Sequence, residues 1–392
     1  MLTHFKEKYI GSASFYKRYL CLALPMILQN AITNLVSFLD NIMVGQLGTE
    51  PMSGVAIVNQ LIFVYNLAIF GAVSAASIFG AQYFGKGNHK GHMHSFRFKL
   101  YASLTMTAAT ILLFMTKGST LISLYLTDTT GSGATEAALQ YGLEYLAIMM
   151  IGLIPFAINQ SYATNIKETG QTLIPMIASF AAVGINAVLD YILIFGLGPI
   201  PKMGVVGAAL ATVIARYIEA LIVIVWAHTN RAKNRYLEGA YRGFGIPKAE
   251  FKAILIKGLP LMLNEVFWAA GMTTVTQCYS VRGLEVIAGL NIATTITNLF
   301  NIIYIQLGGC ISIVVGQYLG AGKLKEAKDA DNKMIVFSVF CCAIVAGVML
   351  IFGGLFPQIY NTSEEIKALA TSFIAVSAII MPFCSFSHAS YF

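Results

Sequence analysis

The feature that most limits what this chain can become is a repeat. Displaced by 235 positions, the step from Pro25 to Pro260, an early stretch of the sequence aligns with a later one without a gap. Pro25, Leu28, Gly48, Glu50 and Gly54 fall on Pro260, Leu263, Gly283, Glu285 and Gly289. Asn66, Ser77, Gln82, Tyr83, Gly85 and Gly87 fall on Asn301, Ser312, Gln317, Tyr318, Gly320 and Gly322. The register still holds at Gly118/Gly353 and Tyr125/Tyr360. The chain is 57% hydrophobic and 11% charged, against about 25% charged in an ordinary soluble domain. A long repeat in so apolar a chain implies two similar helical bundles held in lipid.

The apolar stretches are each long enough to cross a bilayer as a helix, and none shows the alternation of a membrane β-barrel strand. Ten spans are expected, near 17–44, 53–81, 97–126, 138–162, 171–196, 204–228, 252–280, 286–315, 332–356 and 366–389. The first is too long for a cleavable signal and reads as a retained helix. With the N-terminus placed inside, 20 of the 25 Lys and Arg fall in inner segments and four in outer ones, Arg216 lying within a span. That asymmetry predicts a cytoplasmic N-terminus in a cell membrane, plasma or inner. It also accounts for the net charge of +7 without a nucleic-acid partner. Span 7 comes six spans after span 1, an even step that keeps the same orientation, so the repeat is parallel, about an axis along the membrane normal. The expected organisation is a six-helix lobe over 1–228, a cytoplasmic linker over 229–251 and a second lobe over 252–392. That second lobe reaches about four spans, with Pro382–Phe383 matching Pro155–Phe156 and no counterpart of spans 5 and 6.

Acids inside spans are costly unless they face a cavity or a partner. Asp40 lies in the outer half of span 1 and Asp190 in the outer half of span 5. Asn186 stands four residues before Asp190 and shares its helix face. Desolvation disfavours the charged form of a carboxylate, so such acids can take a proton at one membrane face and release it at the other. The bland alternative is a hydrogen-bonded tie between helices. Asp40 has Val275 as its repeat mate, so a site in the first bundle alone is expected. Glu265 follows the kinking Pro260, and its mate is Asn30; both put polar groups near the midplane. A structural hydrogen bond is the competing explanation for Glu265. Asn30, Asn34, Asn159, Gln160 and Glu265 are the expected polar groups in or near a substrate cavity. Arg216 and Glu219 are expected to pair with each other, three residues apart on span 6. Pro25, Pro155, Pro175, Pro260 and Pro382 within spans predict kinks.

Other signals point away from enzyme chemistry. Gly80-Ala-Gln-Tyr-Phe-Gly85-Lys86-Gly87 nearly spells a phosphate-binding loop, but it lacks the final Ser/Thr and ends a membrane helix. Its glycines are expected to make tight turns there. His89, His92 and His94 read as part of a solvated basic loop rather than a metal site. The six cysteines sit in apolar stretches without a C-x-x-C pair and read as packing residues. No cofactor is expected beyond a coupling ion.

These motifs together resemble the multidrug and toxic compound extrusion (MATE) family. The resemblance rests on Pro25-Met-Ile-Leu-Gln-Asn30, Asp40-Asn-Ile-Met-Val-Gly45-Gln-Leu-Gly48 and Gly80-Ala-Gln-Tyr-Phe-Gly-Lys-Gly-Asn88 with its repeat copy. It is extended by Asn186-Ala-Val-Leu-Asp190 and Gly204-Val-Val-Gly207-Ala-Ala-Leu-Ala-Thr. It covers essentially the whole chain. It implies an all-α polytopic fold of two six-helix lobes around a central cavity. It also implies efflux of cationic or amphiphilic drugs in exchange for H+ or Na+, by a protein working as a monomer in the bilayer. First-lobe carboxylates matching Asp40 and Asp190 would couple the cation, and a span 7 acid, which Glu265 matches, serves in some members. Two other readings stay open: a lipid-linked precursor flippase on a related fold, and a truncated paralogue that does not transport. The flippase would need several intramembrane cations, where this chain has Arg216 alone.

Overall fold

The structure, a computed structural model, describes residues 8–126, 132–243, 245–280, 282, 284–360 and 362–391. Among the described residues there are ten long helices. They are α1 (Ala13–Gly45), α2 (Thr49–Gly85), α3 (His89–Ser123), α4 (Ser132–Glu168), α5 (Leu173–Phe195), α6 (Gly204–Thr229), α7 (Lys248–Ser280), α8 (Leu284–Gly320), α9 (Leu324–Phe352) and α10 (Glu364–Tyr391). Each matches one expected span, though α3, α5 and α9 end one to four residues short of it. Counting described residues alone, nine of them, all but α7, are long and apolar enough to cross a membrane. The β pairing among the described residues is one isolated bridge, Leu197–Ile200, in the α5–α6 loop. The protein is an all-α polytopic membrane protein.

Its helices are apolar on both sides, which is what lipid demands. On α9, Cys342, Ala346 and Met349 are buried while Phe340, Ile344, Val348 and Ile351 face outward. Each set recurs at helical spacing, so one apolar stripe packs and the other meets hydrocarbon. Four of the five prolines, Pro25, Pro155, Pro260 and Pro382, lie inside helices as expected. Pro175 instead sits in the first turn of α5, where a missing N–H breaks no helical bond.

Contacts divide the chain into two compact units. The first comprises Ile32–Gly80 and Asn88–Met262. In it α6 packs on α4 and α5, and α3 on α4, with a core that runs from Val55, Val58 and Ile69 to Met149, Leu153 and Ala209. The Tyr65 hydroxyl meets Thr107 Oγ1 at 2.8 Å and donates to the Leu153 carbonyl at 2.9 Å, tying α2 to α3 and α4. The linker belongs to this unit. Its Tyr236, Leu237 and Ala240 are buried with Phe96, Tyr162 and Val223.

The second unit comprises Met1–Ala31, Ala81–Gly87 and Leu263–Phe392. There α8 packs on α9 and α10, and α9 on α10. The buried Tyr19 hydroxyl donates to the Leu307 carbonyl at 2.9 Å, and Ser338 meets Ser385 at 2.8 Å.

The repeat's glycines divide two tasks. Gly87 and Gly322 have φ of 71° and 74°, the left-handed turn expected after α2 and α8. Gly85 and Gly320 do something else. A Cβ on Gly85 would lie 2.0 Å from the Gln317 carbonyl oxygen, and one on Gly320 would lie 1.9 Å from that of Gln82. Gln82 and Gln317 are themselves repeat mates. The last turns of α2 and α8 therefore cross backbone against backbone, through the same residues from each copy.

After Gly87, Asn88 Oδ1 accepts from the Gly91 N–H at 3.0 Å and caps α3. That cap starts the helix at His89, ahead of the apolar stretch that placed span 3 from 97. Hydropathy locates the lipid-facing part of a helix, whereas capping locates its end.

Candidate functional site

Asp40 stands near the end of α1, and Asn186 and Asp190 near the end of α5, all in the first unit. The fold brings the three together. The Asp40 and Asp190 carboxyls approach closely enough to interact side chain to side chain, and Asn186 interacts with Asp190. Asp190 is 1% exposed. Both of its carboxylate oxygens, Asp40 Oδ1 and the Asn186 amide nitrogen are buried without a hydrogen bond of ordinary geometry to any described residue. Two adjoining carboxyls cannot both be ionised in such a place unless a cation joins them. The arrangement thus has the chemistry to hold one proton or one small monovalent cation.

Tyr145, a neighbour of this pair, and its own partners Thr212 and Asn59 carry no sequence signal of their own. Tyr145 on α4 lies within electrostatic reach of both acids and beside Thr212 of α6. Its hydroxyl donates to Asn59 Oδ1 of α2 at 3.3 Å. The preceding residue, Glu144, accepts from Gln140 on the surface of α4. An acid-free aromatic among apolar neighbours looks like core until its partners are known.

The expected cavity residues are distributed as follows. Asn159 is buried, and its Oδ1 has no partner among the described residues. Gln160 is half-buried and Asn34 exposed. These three belong to the first unit. Asn30, in the second unit, donates from Nδ2 to the Met26 carbonyl at 3.0 Å. Glu265 is on α7, and its side chain lies outside the described residues.

Several expectations need correction. Arg216 and Glu219 form no ion pair among the described residues. Arg216 Nη1 donates to the Gly152 carbonyl at 3.4 Å and its guanidinium lies 5.2 Å from the Phe156 ring, both on α4. Glu219 accepts from Ser179 of α5 at 2.5 Å. Because α6 packs against α4 and α5 at once, two residues three apart find separate partners. His92 is 1% exposed rather than solvated. Its Nε2 lies 3.2 Å from Glu168 Oε2 and 3.2 Å from Asn165 Nδ2. Lys99, fully buried, bonds Glu168 Oε1 and donates to Asn165 Oδ1 at 2.5 Å. His94 Nδ1 meets Glu250 Oε2 at 2.7 Å.

The linker is fastened by the same segment. Arg97 donates to the carbonyls of Gly239, Ala240 and Gly245, each at 2.8 Å. Tyr236 packs against Phe96 and His92, and burial, reinforced by Glu168, pushes its phenol well above the ordinary range. Of the six cysteines, Cys310 and Cys342 are buried as packing residues, whereas Cys21 and Cys278 are exposed on helix faces.

The MatE family model matches residues 25–192 and 260–391. The chain belongs to the MatE family. It is therefore a multi-pass membrane protein of a transporter family. Among its relatives is the probable multidrug resistance protein NorM of Oceanobacillus iheyensis, 28% identical over 360 residues, 91% of this chain and 78% of the relative. The protein of the same name from Thermotoga maritima is 25% identical over 355 residues, 89% of this chain and 73% of the relative. Among solved structures, an outward-facing multidrug resistance MATE family transporter of the MOP superfamily superposes with a TM-score of 0.81 at 21% identity. It covers 95% of this chain and 82% of that one. A MATE structure in the straight conformation gives 0.82 at 22% identity, over 96% and 82%.

Proposed function

We propose that this MatE protein is a secondary active antiporter that exports organic cations or other amphiphiles in exchange for H+ or Na+. Its N-terminus and linker lie in the cytoplasm, and the lobes 1–228 and 252–392 alternate access to a polar-lined cavity. The observation that carries this reading is the adjoining pair of carboxyls, in which Asp40 Oδ1 and both oxygens of Asp190 are buried without a hydrogen bond of ordinary geometry among the described residues. One cation relieves the pair, and its departure restores the repulsion, so occupancy changes the packing of α1 against α5. The names of the relatives as multidrug resistance proteins support drug-like substrates for this chain too. Asn30, Asn34, Asn159, Gln160 and Glu265 supply polar groups to the cavity in this scheme, and a drug and the cation weaken each other's binding to an equal degree.

Dye efflux from vesicles under an imposed proton or sodium gradient tests the proposal. Asp190→Asn keeps the shape of the side chain and removes its charge. It should insert and fold yet lose gradient-driven efflux; efflux at the wild-type rate would end the proposal.

A further inference from the structure

The first unit holds a second group of buried ionisable side chains, at the end where α3 begins, α4 ends and the linker packs. Asn165 is oriented there without ambiguity. Lys99 Nζ can only donate, and it meets Asn165 Oδ1 at 2.5 Å, so the amide N–H of Asn165 faces His92. The Nε2 of His92 therefore has a donor on one side and the carboxylate of Glu168 on the other, both at 3.2 Å. With a proton, Nε2 donates to Glu168 and opposes Asn165. Without one, it accepts from Asn165 and opposes Glu168. No protonation state satisfies both neighbours. A neutral ring leaves Lys99 and Glu168 balancing each other; a protonated ring adds one positive charge to a cluster in which His92, Lys99 and Glu168 are 1%, 0% and 1% exposed. His89 on its own helix and Tyr236 of the linker, 4.9 Å away, also face the ring.

The oxygen of Glu168 that meets His92 also touches α2. A Cβ on Gly80 would lie 2.0 Å from Glu168 Oε2, so the carboxylate rests on the bare backbone of that residue. Gly80 is the last residue of α2 that counts with the first unit; Ala81–Gly87 count with the second. We propose that His92 and Glu168 form a second proton-binding site, which braces α2 at Gly80 in one protonation state and releases it in the other. The ligand is a proton from the linker side, and the consequence for transport rests on the antiport reading above.

The test uses the full chain labelled with 15N-histidine in detergent, followed by NMR from about pH 5 to about pH 8. Hydrogen exchange of the segment 76–88 is read over the same range and corrected for the intrinsic pH dependence. The His92 signal, assigned by its loss in His92→Gln, should change protonation state within this range. Exchange of 76–88 should change severalfold with it in the wild type and stay flat in His92→Gln. A His92 signal constant throughout, or the same exchange profile in both proteins, overturns the proposal. Should His92→Gln fail to fold, the pair Lys99→Gln with Glu168→Gln removes the carboxylate without stranding the lysine. It should shift the titration of His92, and an unshifted titration counts against the site. None of these readouts requires transport, so a failure here is distinct from a failure of the Asp40–Asp190 reading.

Discussion

Gly85→Ala and Gly320→Ala should each weaken the protein by a route that their neighbours Gly87 and Gly322 do not share. A methyl on Gly85 would stand 2.0 Å from the Gln317 carbonyl oxygen, and one on Gly320 would stand 1.9 Å from that of Gln82. Real Cβ atoms essentially never come within 3.0 Å of another atom, so the helix ends must part by about 1 Å. The obstacle is backbone, which cannot rotate away as a side chain does. Overpacking of this kind costs about 1–3 kcal/mol. Once one methyl has parted the helices, the second finds room. The double variant should then lose clearly less than the sum of the singles, with a coupling of at least about 0.5 kcal/mol. Gly87→Ala and Gly322→Ala meet nothing within 4 Å but sit at φ of 71° and 74°, so they carry strain alone, about 1–2 kcal/mol each, and should add. Thermal or denaturant unfolding in detergent of the four singles and two doubles reads all of this. Neutral substitutions at Gly85 and Gly320, or strict additivity between them, would refute the crossing.

Further outcomes follow from the first unit. Lys99→Met strands the Glu168 charge and should cost about 3–5 kcal/mol, while the double variant with Glu168→Gln should recover most of that in the same unfolding assay. Arg97→Gln should cost roughly 1.5–3 kcal/mol and open 239–245 to limited proteolysis. Arg97→Lys should do nearly as badly, because a point ammonium cannot reach three carbonyls. Tyr236→Phe should leave stability within about 0.5 kcal/mol of wild type, since the buried hydroxyl has no partner among the described residues. The upward shift of the Tyr236 phenol has a signed consequence. Above about pH 10 the unfolded phenol gives up its proton while the folded one keeps it, so stability falls with rising pH, and less steeply in Tyr236→Phe.

The ten helices were legible because lipid imposes a long apolar stretch on each, and the repeat doubled the signal. Helix ends were less so: the Asn88 cap winds His89 and His92 into α3, where hydropathy suggests a loop. That Asp40, Asn186 and Asp190 would meet was not deducible from spacing, since only the Asn186–Asp190 pair lies on one helix. Tyr145 and Glu168 carried no signal, because each acquires its role from partners on other helices. In the sequence Lys99 is only one of the 20 basic residues of the inner segments; its complete burial follows from Glu168 and Asn165, more than sixty positions away. Gly85 and Gly87 look alike in the sequence and separate only when the crossing with α8 is known.

Displacement of the coupling ion by substrate tests the central claim most directly. Purified protein in weakly buffered detergent, mixed with a cationic dye, is followed for proton release, or for loss of bound 22Na+. The account predicts release from the wild type, none from Asp40→Asn or Asp190→Asn, and a dye affinity in the wild type lowered roughly 5–150-fold by saturating cation. Equal release from the wild type and both variants, or a dye affinity indifferent to the cation, would contradict it.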